Sequence, residues 1–393
     1  MSERPITVRA MREEERDLVK ALHRRSFNIP RELHGRLPQP PAENVRVAER
    51  DGAIVGALRY HAIAHFFGGR PVSSAGISGV VVEPEARGDR TAERMVVATL
   101  AELRPKGFPI STLYPATVPV YRRCGYEYAA FRVEFRTPLR LLPRGSTLEA
   151  EPWTDADLDE VAACYRSWAS GRNGVIDRPK EWWTRILTNV EEGEVFRVCV
   201  REGGRITGYL AYTQEKRKDS DWEFDLDCRD LVWTTPDSAA GLLTFAGRHR
   251  SNARDLIWVG PPNDPLANLL PEQDANHEGW FRPMLRLVDV PGAFEARGYP
   301  RSLQAAVELR VDDPQLAENT GGWRVEVSEG SAKVTTASSP GSSVDVATLA
   351  AIWSGMLSAA DARRLGRLYA SDDDVDVLEE MFAGPLPWVN DWF

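Results

Sequence analysis

Apolar residues recur along this chain with two periods, and the change from one to the other marks out its elements. Residues 44–49 and 54–60 alternate apolar and polar on either side of Asp51-Gly52, the two-residue period of half-buried strands joined by a tight turn. The same signal returns at Gly68-Gly69, where a second hairpin leads through 72–77 into an unbroken β-branched run at 79–82. Before these hairpins, 6–9 reads as a strand and 13–27 as a helix with Leu18, Val19, Leu22 and Phe27 as its apolar positions. The proline-rich stretch 29–41 reads as an ordered loop over a pocket.

The chain is organised around residues 76–126. Glu83-Pro84 ends the apolar run, since proline cannot donate to a sheet ladder. A polar loop follows, and then Ala92, Met95, Val96, Thr99, Leu100 and Leu103 recur with helical spacing until Pro105-Lys106-Gly107 closes the helix. Residues 110–113 form the next strand. Strand, basic loop and helix aim helix N-terminal amides, with Arg87 and Arg90 beside them, beyond the strand end, which suits a phosphate-bearing ligand. A solvated turn is the competing reading of the same residues.

Downstream, 127–136 alternates as an edge strand, 138–146 reads as a linker, and 156–168 carries a helical stripe of Leu158, Val161, Cys164, Tyr165 and Trp168. Residues 51–60 and 203–212 agree at five of ten places, which is either a duplicated domain or two hairpins that share turn chemistry. Strand 231–233 of that second copy leads into Thr234-Thr235-Pro236-Asp237-Ser238, without an arginine-glycine loop, so no nucleotide is expected there. From about Leu285 a third segment begins: a strand at 305–311, a hairpin of 323–327 and 332–336 across Glu329-Gly330, and helices at 344–356 and 360–368. The acidic run 372–374 reads as a solvated helix end. The final residues 385–393, with Trp388, Trp392 and Phe393, are apolar enough to dock rather than fray.

Composition narrows the chemistry. At 393 residues the chain can hold two or three cores. A net charge of −9 argues against nucleic acid as the partner and favours cationic substrates. Cys124, Cys164, Cys199 and Cys228 are too dispersed for a disulfide framework or a zinc site, and no other metal-ligand cluster stands out. No run approaches the roughly 20 apolar residues that span a bilayer, and the charged N-terminus is unlike a signal peptide. A cytoplasmic protein without a membrane partner is expected.

Val82-Glu83-Pro84-Glu85-Ala86-Arg87 before the helix, and Tyr121-Arg122-Arg123-Cys124-Gly125-Tyr126 one strand later, resemble the two signatures of the GNAT superfamily of acyl-CoA-dependent acyltransferases. Residues 113–127 are similar to its Eis branch, N-acetyltransferases known for acetylating aminoglycosides. So are Leu285-Arg286-Leu287-Val288-Asp289-Val290-Pro291, Ala296-Arg297-Gly298-Tyr299, Pro387-Trp388 and the final Phe393. The resemblance implies an α+β fold: two GNAT-like mixed-sheet domains, at 1–140 and a degenerate one at 141–284, then a sterol-carrier-like α/β domain at 285–393. It also implies acetyl-CoA as cofactor, a small-molecule amine as substrate and a homohexamer. The pyrophosphate would lie on Arg87, Gly88, Arg90, Thr91 and Ala92, and the pantetheine along Val80 and Val82. One position departs from the family pattern: Arg90 stands where the loop's middle glycine belongs, and either swings outward to add a phosphate contact or occupies the slot.

Amide formation from an amine and a thioester needs a proton acceptor and a proton donor. A tyrosine phenol of pKa about 10 stays protonated at neutral pH and can donate to a thiolate of pKa about 8.5. The resemblance assigns that part to Tyr121, and assigns the base to the α-carboxylate of Phe393, with Trp392 where relatives carry an acid. His61 and His65, four residues apart on one strand face, are the other acceptors. Two further readings stay open: a CoA-independent acid-base enzyme reusing the Tyr121 and Phe393 pocket, and a non-catalytic ligand-binding relative.

Overall fold

The computed structural model describes residues 5–27, 40–187, 194–272 and 275–393, and the expected loop at 29–41 lies almost wholly outside them. The chain forms two compact units. The first joins residues 1–130 to 282–385 and 392–393, and the second joins 131–281 to 386–391. The fold is α+β with mixed sheets.

In the first unit the elements follow the apolar periods closely. They are β1 (Thr7–Ala10), α1 (Arg16–Phe27), β2 (Val45–Arg50), β3 (Ala53–Phe67), β4 (Arg70–Val82), α2 (Thr91–Leu103), β5 (Ile110–Leu113), α3 (Val118–Arg123) and β6 (Glu127–Tyr128). Asp51-Gly52 makes the expected hairpin turn, with φ of 50° and 79°, because this left-handed pair matches the twist of the flanking strands. The helix expected at 13–27 opens with a 3-10 turn, Glu13–Glu15. Its inward face differs from expectation: Val19, Leu22 and His23 are buried, whereas Leu18 and Phe27 are exposed.

The sheet runs β1-β2-β3-β4-β5, then Met284–Leu287, then β6. The β4 to β5 pairing is parallel, from Ser74 opposite Ile110 to Ile77 opposite Leu113, with α2 as the crossover. Leu285 and its neighbours therefore complete the first sheet, pairing with both β5 and β6. The expected edge strand at 127–136 is two strands in two sheets, Glu127–Tyr128 here and Arg132–Pro138 in the second unit.

The C-terminal part of this unit has the strand order Ser331–Thr336, Gly321–Ser328, Ala305–Asp312, Ser342–Asp345, Leu368–Tyr369. The helix expected at 344–356 is shorter, Val346–Ser354, because Asp345 ends a strand and caps it by accepting the Thr348 amide. Its buried core includes Trp353, Leu349 and Phe294, and is continuous with Phe67, Val72 and Leu287 of the first sheet. The Gly68-Gly69 turn comes so close that a Cβ on Gly68 would lie 1.9 Å from the Gly298 carbonyl oxygen, and glycine is required on both sides of that contact.

The second unit has a sheet ordered Asn276–Phe281, Arg132–Pro138, Ala253–Gly260, Phe224–Trp233, Arg205–Lys216, Phe196–Glu202, Glu151–Pro152. Arg132–Pro138 is thus an interior strand rather than an edge. The expected linker contributes Leu139 and Leu142 to the core beneath it. Trp388 docks here, with its amide on the Asn173 carbonyl at 2.9 Å and a parallel bridge to Phe131.

Candidate active site

Beyond Ile77 the β4 strand runs on to Val82 while its β5 partner stops at Leu113. The two strands part there, and the β5-facing backbone of residues 78–82 is left as a sheet edge that a ligand's amides can join. A bulge precedes this edge: Gly79 has φ 60°, and the register against β3 shifts between Ala57 and Arg59. His23 holds the bulge from α1, its Nε2 lying 2.8 Å from the Gly79 carbonyl and its Nδ1 2.9 Å from the Val19 carbonyl. Sequence reasoning missed His23. The available signals were a glycine inside a β-branched strand and a histidine one helical turn after Val19.

A pocket of about 410 Å³ opens beside this edge, and Val80, Val82, Arg87, Gly88, Arg90, Thr91 and Ala92 all line it. The structure therefore gathers every residue expected to hold the cofactor. The pocket's loop is pinned from below. Asp89 Oδ2 lies 2.5 Å from Arg50 Nη2, and the Thr91 hydroxyl donates to Asp89 Oδ1 at 2.5 Å and lies 3.1 Å from the Ala86 carbonyl oxygen. The Thr91 hydroxyl, and then the Arg50 guanidinium, hold the Asp89 carboxyl below its ordinary range, so the charge of Asp89 is already balanced within the protein. Arg87 donates from Nε to the Val82 carbonyl at 3.1 Å. Above Gly88 there is open space, since a Cβ built there meets nothing within 4 Å.

Arg90 is the N-cap of α2, with φ 61° and ψ 23°, and its side chain is exposed. Left-handed backbone costs a non-glycine residue about 1 kcal/mol or more. A glycine at this position would be free of that cost.

The facing wall is α3, through Thr117, Val120 and Arg123, with Arg123 Nε 2.7 Å from Glu93 Oε2. Tyr121 lies on the same helix, turned inward and nearly buried, edge-on to Tyr126 at 6.2 Å. Burial, with the Cys124 thiol beside it, pushes the Tyr121 phenol up to about 12. Gly125 lets this helix end where it does. Its φ is 83°, and a Cβ there would lie 2.8 Å from the guanidinium carbon of Arg286. That guanidinium is fully buried, and its Nη2 donates to both carboxylate oxygens of Asp313, at 2.6 and 2.7 Å.

Phe393 lies against Gly76 of β4, where a Cβ would come within 2.7 Å of its ring. His61 and His65 meet the ring edge-on at 6.1 and 6.4 Å, and Tyr114 at 4.7 Å. Both histidines have hydroxyl partners, Ser78 for His61 at 3.2 Å and Thr112 for the buried His65 at 3.1 Å. Tyr121 belongs to the buried cluster of Ala75 and Ile77, the neighbours of Gly76 that alternate to the other face of β4. Exposed Trp392 lies tilted against Tyr114, with ring centroids 4.4 Å apart. Among the described residues no group of three or more His, Cys, Asp and Glu could hold a metal ion, and no helix is long and apolar enough to cross a membrane.

The second unit treats the corresponding position differently. The helix Pro236–Gly247 has proline at its first turn, and Thr235 caps it by accepting the Ser238 amide at 3.1 Å. The Thr235 hydroxyl is itself bonded to Glu202, so the chain's own side chains occupy the place an anion would take.

Residues 7–129 and 174–287 match acetyltransferase (GNAT) domain families, and residues 290–390 match a sterol carrier protein domain family. An uncharacterized N-acetyltransferase of Streptomyces griseus is 26% identical over 358 residues, 83% of each chain. The N-acetyltransferase Eis of Mycobacterium tuberculosis is 24% identical over 370 residues, 87% of each chain. A solved GCN5-related N-acetyltransferase from Anabaena variabilis has 28% identity and a TM-score of 0.94, covering 99% of this chain and all of the other. Eis1 from Mycobacterium abscessus shares the fold, with a TM-score of 0.81 at 22% identity.

Proposed function

Since the chain belongs to the GNAT acetyltransferases, in the three-domain form that Eis proteins share, we propose that it transfers an acetyl group from acetyl-CoA to a primary amine of a small molecule. The observation that carries this reading is the pocket in which the parted β4 edge, the Arg87–Ala92 loop and the N-terminus of α2 converge. The residues present fit the cofactor. Val80 and Val82 offer backbone groups to pantetheine amides, while Gly88, Thr91 and Ala92 with the α2 amides, and Arg87, would hold the pyrophosphate. When bound, acetyl-CoA supplies an activated acetyl thioester.

The protein's own part is positioning and proton transfer. The substrate amine arrives as an ammonium and must lose a proton before it can attack. The Phe393 carboxylate, with its ring set between His61 and His65, is the acceptor in this reading. Tyr121 Oη is the donor to the departing sulfur. A phenol held near 12 keeps its proton throughout the physiological range, as a donor must. The aromatic wall of Tyr114 and Trp392 beside Phe393 suits an amine with an apolar or π-bearing body, and its ring faces can also receive an ammonium group. The assembly in this reading is a hexamer, which sedimentation at micromolar concentration tests.

The direct test incubates the protein with acetyl-CoA and a panel of primary amines and follows release of the free thiol. Turnover is expected with at least one amine, and it should fall by about 10²- to 10⁴-fold in Tyr121→Phe or when two residues are appended after Phe393. Absence of acetyl-CoA binding, or full activity of the appended form, would remove this mechanism.

A further inference from the structure

The β4 bulge has an anchor outside the sheet. Pairing with β3 passes from Ser78 opposite Arg59 to Val81 opposite Ala57, so Gly79 and Val80 stand together against Leu58. A side chain takes the Gly79 carbonyl: His23 Nε2 lies 2.8 Å away, while His23 Nδ1 lies 2.9 Å from the Val19 carbonyl one helical turn back. The ring is buried, and a Cβ on Gly79 would come within 2.7 Å of Nε2, so only glycine lets the two meet. Ser26 and Phe27, on the last turn of the same helix, line the pocket together with Val80, Val81 and Val82. His23 therefore ties the helix that forms one wall to the strand that forms another, without lining the pocket itself.

A carbonyl oxygen only accepts. Two carbonyls on the two ring nitrogens require two N–H donors, and the imidazolium is the form that has both. Whichever nitrogen gives up its proton, its lone pair then faces a carbonyl oxygen, and the ring must shift from one of its anchors. Among the described residues of the elements packed on α1, Arg59 and His61 of β3 share the Ser78 hydroxyl, at 3.1 and 3.2 Å, and Glu83 beyond β4 is held by Arg25. At the far end of the helix Glu13 and Glu15 are paired with arginines. Arg59 opposes a positive ring. The two carbonyls favour it, since each contact becomes charge-assisted when the ring is charged.

We propose that His23 is a positioning residue of the acetyl-CoA pocket and works as an imidazolium, clamping α1 to the β4 bulge. The strand edge at Val80–Val82 is then held in its binding geometry while the ring is protonated and loosened as the proton leaves. The proposal rests on the acetyl-CoA reading above and adds to it a control of affinity by pH.

The test has two arms, both on the full chain. Nitrogen-15 spectra of histidine-labelled wild type, with the His23 signal identified by its proximity to the stacked Phe27 ring, read the protonation of each ring nitrogen from about pH 6 to about pH 9. Both nitrogens are expected to carry protons at neutral pH, where an ordinary histidine is mostly neutral. The second arm is isothermal titration with acetyl-CoA over the same range for wild type, His23→Gln and His23→Leu. Relative to His23→Gln, in which titration of the ligand's own phosphates cancels, wild-type affinity should fall about tenfold as pH rises, the scale of one charged hydrogen bond. The glutamine amide offers a donor that does not titrate and should keep part of the affinity, which leucine should lose at every pH. A neutral His23 ring at neutral pH, or a His23→Gln profile parallel to wild type, overturns the proposal and leaves the acetyl-CoA reading standing. Binding of acetyl-CoA by none of the three proteins overturns both.

Discussion

Arg178 and Asp391, 213 residues apart in the chain, meet in two parallel hydrogen bonds of 3.0 Å, Nε to Oδ2 and Nη2 to Oδ1. The same guanidinium holds Asp230 at 2.5 and 3.1 Å and lies 3.9 Å over the Tyr165 ring, and none of these groups reaches solvent appreciably. Burial by itself would lower the arginine's proton affinity, and the Asp230 and Asp391 carboxylates more than restore it. Asp391→Asn leaves Arg178 paired with Asp230 but weakens two buried charge-assisted hydrogen bonds, one of them to an amide nitrogen that cannot accept. It should therefore destabilise the second unit by about 2 kcal/mol, seen as a lower urea midpoint with an unchanged slope. A shift within error would show that the contact carries no net stability.

Gly76→Ala tests the seat of Phe393. The new methyl would come within 2.7 Å of the ring and 2.9 Å of Ile63 Cδ1, so the terminal ring must move. Turnover should drop at least about tenfold, as misplacement near the reacting atoms generally costs. The affinity for acetyl-CoA should hold, because Gly76 is outside the pocket proposed for it. Loss of cofactor affinity instead would place Phe393 in the wrong role.

Gly125→Ala addresses stability. A side chain there is strained at φ 83° and strikes the guanidinium of Arg286, which has no free space and is committed to Asp313. Separation of that buried pair predicts a loss of about 3 kcal/mol or more, measured as reduced melting temperature and soluble yield. Wild-type stability would mean that Arg286 can relocate without cost.

Tyr121 is one of several buried tyrosines, Tyr126 and Tyr212 among them, whose phenols are raised by burial, and a single substitution isolates its share of the alkaline response. Its phenol is raised from 10.0 to about 12 in the folded protein, so between those values the unfolded chain has released this proton while the folded chain still holds it. Stability therefore falls as pH rises through that window, and the contribution is intact below it. Tyr121→Phe should reduce the slope of unfolding free energy against pH in the window by about one proton. An unchanged slope would show that the hydroxyl titrates normally.

The sequence by itself determined whatever depends on neighbours in the chain. Asp51-Gly52 and Glu329-Gly330 fix their hairpins because a two-residue turn is decided by local φ and ψ. Ile110–Leu113 and the run into Val82 are strands because β-branched residues pack that way and Pro84 forbids more. The loop proposed to hold the cofactor was legible for the same reason, since strand end, loop and helix start are contiguous and share one pocket. Only the tertiary structure decided which partner each element takes. Leu285 and its neighbours pair with a strand about 170 residues earlier because hydrogen bonding across a sheet carries no record of chain distance. Residues 127–136, one alternating pattern, divide between two sheets because period two is the same whichever sheet receives it. His23 bridging Val19 and Gly79, and Arg178 holding Asp391, depend on burial that brings remote groups together where water no longer competes for their bonds. The arginine at position 90 belongs to both: its identity is read from the chain, and its strain and exposure exist only because the strand and helix around it fix its backbone in space.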